Sequence, residues 1–369
     1  MSGGATQEGT TRYAERFRGI AAEGHFRQVE NLAMSSLGIG TYLGQPNDST
    51  DSGYTAAIVA AVEAGMNLID TAINYRLQRS ERCVGTAIKV LGRKGIRRDE
   101  IVVCTKGGYL TPDGSMPADP NRYFFEEYLQ RNIFTAKDIA AGSHCMTARF
   151  LENQLIRSLK NLQVECIDVY YLHNPETQLS EISPPEFLKR VREVFVFLES
   201  AVERGRIQFY GMATWNGFRQ EKAAREAMQL AEIEAIARDI GGEKHHFRFV
   251  QLPFNLAMTE ALTLGNQTLA SGQKTIMEAA DELGIRLIAS ASLLQGQVAQ
   301  NLPTFVAEAL GQQNDAERAL QFARSAPGIT AALVGMSRTA HVEANARLVE
   351  VAPAGLEQFG RLFSRGEGA

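Results

Sequence analysis

Asp70, Tyr75, Lys106 and His173 stand at or just beyond the ends of short apolar runs. The run at 67–70 stops on Asp70, and the polar loop after it carries Tyr75. The run at 101–105 stops at Lys106 and that at 167–172 at His173. A phenol can hand a proton to an oxygen that is gaining negative charge, but a free phenol, with a pKa of about 10, is poorly poised at neutral pH. A neighbouring ammonium lowers that pKa by stabilising the phenolate. Lys106 can supply it, and Asp70 can pair with the lysine and hold it in place. A neutral His173 can donate a hydrogen bond to the same oxygen, so that with Tyr75 it makes an oxyanion site. Reduction of a carbonyl needs these groups at the oxygen and a hydride donor on one face of the carbon. Taken singly, each residue has a plainer reading: Asp70 with Thr71 caps a turn, Lys106 is a solvated strand end, His173 is structural. Their common position at successive strand ends joins them.

For these side chains to converge, the runs that carry them must lie side by side. Strand-like runs recur at 67–70, 101–105, 167–172, 207–212, 247–252, 286–290 and 329–334. Helical spacing recurs at 80–92, 147–161, 184–203, 217–238, 273–283, 314–324 and 338–349. A strand at 36–42, in GIGTYLG, and a helix at 51–64 closing on Gly65 complete eight strand–helix units. Near-continuous apolar strands alternating with helices imply a parallel sheet, and eight units imply closure into an α/β fold of the (β/α)8 TIM barrel kind. Such a barrel keeps its active site at the C-terminal ends of its strands, where Asp70, Lys106 and His173 stand. The strand-like run at 26–34 is expected to contribute an N-terminal β-hairpin over the opposite face. The glycines of GIGTYLG do not form GxGxxG, and QPNDSTDS follows where a helix would have to begin, which disfavours a doubly wound dinucleotide domain.

The chain has 369 residues and a formal net charge of −4, which gives no electrostatic reason to expect nucleic acid or an anionic membrane as partner. No apolar run approaches the roughly 18 residues that span a bilayer. Cys83, Cys104, Cys145 and Cys166 are scattered and form no CxxC. They are expected to be reduced and mostly buried, in a cytoplasmic protein. No histidine or cysteine cluster has metal-ligand spacing, so no metal is expected. Residues 1–23 read as a flexible polar tail and 24–369 as a single barrel domain.

The last unit offers a berth for a hydride donor. Gly335, Ser337, Arg338 and His341 place a glycine and small hydroxyl residues between a strand end and a helix start, where backbone N–H groups can take a phosphate. Arg338 could pair with a ribose 2′-phosphate. The plainer reading is an N-cap beside a solvated arginine.

The motifs DTAINY, TK and LHNPE, in this order and spacing, resemble the Asp, Tyr, Lys and His tetrad of the aldo-keto reductases. The resemblance runs from Ser36 to Asn345 and implies Asp70, Tyr75, Lys106 and His173 as catalytic residues. It implies Thr41, Thr214, Gln251, Ser290, Leu293, Gly335, Ser337, Arg338, His341 and Asn345 as cofactor contacts, with Gln251 and Thr214 at the nicotinamide carboxamide. The chain departs from the family pattern at Ala344, where glutamate often contacts adenine, at Ser290, where an aromatic residue commonly stacks on nicotinamide, and at Ala213-Thr214, where Ser-Asn is usual. The implied activity is reversible reduction of a small aldehyde, ketone or sugar with NADP(H), NAD(H) remaining open. Two other classes stay open: a Schiff-base lyase using Lys106, and a nucleotide-binding regulatory module, since potassium-channel β subunits resemble the same family. Oligomeric state is not legible.

One connection is abnormally long. Between Lys106 and the helix at 147 lie about forty residues where two to six are usual. Tyr109, Tyr123, Phe124, Phe125, Tyr128 and Phe134 are too many aromatics for a solvated tether. The insertion at 107–146 is expected to close over the mouth as a lid, lining the pocket with some aromatics and hinging on its GG and PDG elements.

Overall fold

Runs such as IDVYYL and ITAALV have no polar face, so as strands they must be covered on both sides. In the computed structural model, which describes residues 3–363, eight of them close into a parallel barrel. In chain order the strands are Leu37–Gly40, Leu68–Asp70, Val102–Gly107, Ile167–His173, Ile207–Ala213, Phe247–Pro253, Arg286–Ser290 and Ile329–Gly335. Each pairs with the strand before and after it, and the eighth pairs with the first.

Register decides which side chains enter the lumen. Asp70 lies opposite Cys104, Lys106 opposite Tyr171, and His173 opposite Ala213. Paired residues of neighbouring parallel strands share a face, and alternate residues along one strand share it too. Leu68, Cys104, Val169, Tyr171 and Ala213 belong to one buried cluster inside the barrel. Asp70, Lys106 and His173 have the same parity, so they face inward at the C-terminal ends. Small residues make room at the first strand: a Cβ on Gly38 would sit 2.8 Å from side-chain atoms of both Leu68 and Leu333.

The outer helices follow the expected spacing over most of their length, with side-chain caps from Asn47 and Thr147 at two of them. The stretch expected as a helix at 217–238 is helical over Leu230–Gly241 and irregular before it. There Asn266 Nδ2 donates to the carbonyls of Phe218 and Gln220 at 2.9 and 2.8 Å, and Met228 N donates to Gly217 O at 2.7 Å. The Asn266 bonds come from outside the segment, and all three take carbonyls that a helix would use itself. A further helix, Thr304–Leu310, precedes Asp315–Ser325.

The hairpin Phe26–Val29 with Leu32–Ser35 lies across the N-terminal face. Arg27 Nη1 donates to Ile329 O and Thr330 O at 2.5 and 2.8 Å, where the eighth strand begins. The stretch expected as a loose tail carries a helix, Gln7–Arg16, capped by Thr6. Residues 1 and 2 lie outside the described residues. Tyr13 is fully buried and donates its hydroxyl to Val62 O at 2.5 Å, and Arg12 and Arg16 meet Glu100 at 2.6 and 2.9 Å. The helix therefore docks through a phenol, hydroxyls and ion pairs, and an aliphatic stripe that would have marked it in the sequence is absent.

The insertion folds as a docked layer. It contains a short helix, Pro120–Phe124, a π turn over Phe125–Leu129 and a two-stranded ladder of Ile139–Ala140 with His144–Cys145. Tyr128 and Phe134 pack on each other and on Phe150 of the following outer helix, forming a small core of their own. The elements expected as hinges are tied down. A Cβ on Gly107 would fall 2.1 Å from the Tyr170 hydroxyl, and Gly108 N donates to Gln154 Oε1 at 2.7 Å. In the PDG element, Pro112 O accepts from Gln78 Nε2 at 3.1 Å, Gly114 N donates to Leu77 O at 2.8 Å, and Asp113 pairs with Arg82. Of the insertion's aromatics, Tyr109 reaches the strand ends.

Candidate active site

Lys106 is buried within the barrel mouth, its ammonium 2.6 Å from Asp70 Oδ2 and 2.8 Å from the carbonyl of Thr71. The second carboxylate oxygen of Asp70 accepts from Gln251 Nε2 at 2.8 Å, across the lumen. Above this pair lies Tyr75, whose ring centroid is 5.0 Å from the lysine nitrogen. The Tyr75 ring meets His173 at 5.7 Å and Tyr42 at 5.0 Å, both edge to face. The four residues read from the sequence therefore stand together.

Burial disfavours a charged Lys106, but Asp70 and Tyr75 outweigh it and hold the ammonium's pKa above 10.5. For Tyr75 the balance differs from the sequence expectation. Lys106 does favour the phenolate, yet burial is the larger effect, and the phenol's pKa lies above 10. Burial, with help from the Lys106 charge and His144, keeps the His173 pKa well below 6.5. At neutral pH the site thus holds an ammonium, a protonated phenol and a neutral imidazole. His173 retains an exposed edge, while its Nδ1 is buried without a hydrogen-bond partner.

The Tyr75 loop is fixed from several sides. Thr71 N donates to Cys104 O at 3.0 Å and Ile73 N to Lys106 O at 3.2 Å. Arg76, Leu77 and Gln78 all adopt left-handed φ angles of 47°, 58° and 72°, which non-glycine residues hold only under constraint. Arg76 supplies one, donating to Asp51 Oδ1 at 2.5 Å and Ser80 Oγ at 3.0 Å. Ser80 and Glu81, in the first turn of the next helix, brace the loop. Ser80 donates to Thr41 O at 2.8 Å, and Glu81 accepts from Thr105 Oγ1 at 2.7 Å and Asn161 Nδ2 at 2.9 Å.

The residues expected at a cofactor lie along the arc of strands five to eight, with Thr41 at the end of strand one. Thr214 N donates to Gln251 O at 2.8 Å, while the Thr214 hydroxyl is buried without a partner. Because the Gln251 nitrogen serves Asp70, its carbonyl oxygen remains for a ligand. Thr41 is fully buried and spends its hydroxyl on Asp70 O at 3.2 Å, so its side chain serves the scaffold. Ser290 ends strand seven, opposite Pro253, and Leu293 follows half-buried. Beyond Gly335 and the half-buried Ser337, the helix Thr339–Ala346 begins with no side-chain cap and no acidic residue in its first turn. Arg338 and His341 are exposed there, and Asn345 is buried. An uncapped, carboxylate-free helix start and an orphaned buried hydroxyl fit a ligand that carries both a phosphate and a carboxamide.

Sequence reasoning missed several residues around this site. Glu176 Oε1 accepts from the N–H groups of Trp215 and Asn216 at 2.7 and 2.9 Å, shaping the loop after Thr214. His144 lies beside His173, its Nε2 2.8 Å from the His173 main-chain carbonyl oxygen. These partners are main-chain groups distant in sequence, so no local motif announces them. An open groove of about 680 Å³ between the first two outer helices, lined by Asp51, Arg82 and Cys83, is separate from the tetrad. The four cysteines are unpaired and buried. Among the described residues no group of three or more His, Cys, Asp or Glu side chains could hold a metal ion, and no helix is long and apolar enough to cross a membrane.

Compared with known proteins, the model of the aldo/keto reductase family matches residues 36–364. Two curated relatives are the NADH-specific methylglyoxal reductase of Escherichia coli (strain K12), 27% identical over 212 residues, and the 6-dehydroglucose reductase of Novosphingobium aromaticivorans, 24% identical over 224 residues. Each match covers 56% of this chain, and they cover 55% and 60% of the relatives, so the chain spans little more than half the length of the curated relatives it matches. Among solved structures, an aldo/keto reductase from Klebsiella pneumoniae in complex with NADP and acetate aligns with a TM-score of 0.61 at 20% identity, over 93% of this chain and 96% of that one. The holo form of an aldo-keto reductase from Bacillus halodurans aligns with a TM-score of 0.62 at 19% identity, over 92% and 95%. At these identities the structural likeness is one of fold.

Proposed function

This chain belongs to the aldo/keto reductase family, and we propose that it interconverts the carbonyl of a small aldehyde, ketone or sugar with the alcohol, using NADP(H). The observation that carries the reading is the buried Lys106–Asp70 pair directly beneath Tyr75, with His173 neutral at the same mouth. Bound NADPH would supply the hydride. Tyr75, protonated at neutral pH, donates a proton to the carbonyl oxygen. His173 donates a hydrogen bond to the same oxygen, and Lys106 stabilises the phenolate that Tyr75 becomes. Asp70 fixes Lys106 and, through Gln251, ties the tetrad to the cofactor arc. In this reading Thr214 and the Gln251 side-chain carbonyl would hold the carboxamide, and Gly335, Ser337 and Arg338 the phosphates. The names of the curated relatives make methylglyoxal and 6-dehydroglucose the first carbonyls to try.

A Schiff-base lyase would need Lys106 as a neutral nucleophile. Its raised pKa keeps it an ammonium, which disfavours that reading.

Cofactor choice is tested at Arg338. Exposed beside the uncapped helix start, it is free to pair with a 2′-phosphate. Arg338→Ala should weaken NADPH by about 1.5–3 kcal/mol, the worth of a charge-assisted contact, and leave NADH nearly unchanged. Fluorescence titration with both cofactors measures this, and equal losses for the two would return Arg338 to a solvated surface role.

A further inference from the structure

The two ends of the insertion meet beside His173. Tyr109 bridges to His144, Cys145 N donates to Gly108 O at 2.8 Å, and Leu110 N donates to Ser143 O at 2.8 Å. His144 is 1% exposed, and both ring nitrogens are engaged. Arg190 Nη1 donates to Gln178 Oε1 at 2.5 Å, which turns the Gln178 amide so that its nitrogen faces His144 Nδ1 at 2.9 Å. Nδ1 must therefore accept, leaving the proton on Nε2, which donates to the main-chain carbonyl of His173 at 2.8 Å. Burial holds the His144 pKa at about 4, so this neutral tautomer persists through the neutral range.

Two more contacts converge on that bond. A Cβ on Gly108 would lie 2.9 Å from both His144 Nε2 and His173 O, so the bond crosses a position where a side chain has no room. The Tyr109 ring stands edge to face against His144 at 5.0 Å and His173 at 5.1 Å. Its hydroxyl accepts from Asn174 Nδ2 at 3.1 Å, and its carbonyl accepts from Gln154 Nε2 at 2.7 Å. His173 Nδ1 has no hydrogen-bond partner of its own. The ring's direction is thus set by its main chain and by the flanking Tyr75 and Tyr109 rings.

We propose that His144 is a positioning residue for His173: delivered by the far end of the insertion, it fixes the His173 main chain and, with Tyr109, aims the imidazole into the mouth. The insertion then serves to orient a strand end. This rests on the reading that His173 acts at the substrate oxygen.

The test compares His144→Ala and His144→Gln, each alone and combined with His173→Ala. Readouts are kcat and KM for methylglyoxal with NADPH, NADPH affinity, and the imidazole 1H–15N spectrum of the free protein. Misplacing a reacting group by about 1 Å costs on the order of 100-fold, so His144→Ala should lower kcat by about that factor with NADPH affinity unchanged. Glutamine can accept from Gln178 and donate to the His173 carbonyl, so His144→Gln should recover most of the loss. In the His173→Ala background neither change should lower kcat further. The His173 resonances, which need no substrate and decide alone if methylglyoxal is not turned over, should move in His144→Ala and return in His144→Gln. Unmoved resonances, equal losses in Ala and Gln variants, or an equal loss without His173 would overturn the proposal. Wild-type turnover in His173→Ala would instead refute the reading of the site, and the proposal with it.

Discussion

Tyr75→Phe is expected to lose carbonyl reduction by a factor of about 100 to 10,000 in kcat, the usual worth of a positioned proton donor. Cofactor affinity should barely change. The ring contacts with Tyr42 and His173 survive in phenylalanine, so packing in the mouth is retained while the proton is removed. A loss in kcat and kcat/KM together would mark an interaction made in the transition state. The pH profile adds a second check. Because burial holds the Tyr75 pKa above 10, the wild type should reduce its substrate at a steady rate across neutral pH and decline as the phenol ionises on the alkaline side. The residual rate of Tyr75→Phe should lack that decline. Near-normal turnover in the variant would remove Tyr75 from the chemistry.

Lys106→Met should damage both catalysis and stability, for separable reasons. The side chains of Lys106 and Asp70 are 1% and 6% exposed. Removing one member of such a pair leaves a buried charge uncompensated, at a cost of about 3–5 kcal/mol. Denaturant unfolding should register that loss. Adding Asp70→Asn removes the orphaned charge and keeps an oxygen for Gln251 Nε2, so the double variant should recover most of the stability. Activity should remain lost in both, because the ammonium that stabilises the Tyr75 phenolate is gone. If the double variant regained activity along with stability, Lys106 would be a structural lysine.

Much of this arrangement is legible in the sequence because strands buried on both faces leave unbroken apolar runs, and the residue that ends each run sits at the barrel mouth. Asp70, Lys106 and His173 need no more than this, since parity and register then turn all three inward. The helix Gln7–Arg16 was hidden because Tyr13, Thr10 and two arginines dock it in place of aliphatic side chains. Residues 217–229 have helical composition, and Asn266, far along the chain, takes their carbonyls. Of the insertion's aromatics, Tyr128 and Phe134 are buried, against each other and Phe150, while Tyr109, Tyr123 and Phe124 are half-buried and Phe125 is exposed. At the site itself, spacing shows that Lys106 can lie near Tyr75 and cannot show how much solvent the phenol loses, which is what decides its pKa. His144 was equally out of view, because its partner is a main-chain carbonyl.

The central claim is that hydride reaches a substrate carbon while Tyr75 protonates the oxygen. NADPH carrying deuterium at the reactive ring carbon, mixed with the protein and a panel of methylglyoxal, 6-dehydroglucose and simple aldoses, tests it most directly, with product deuterium read by mass spectrometry. The account predicts one deuterium on the new carbinol carbon of at least one substrate in step with loss of cofactor absorbance, and its near-absence with Tyr75→Phe. Contradiction would be cofactor that binds but is never consumed across the panel, together with borohydride trapping of a substrate on Lys106.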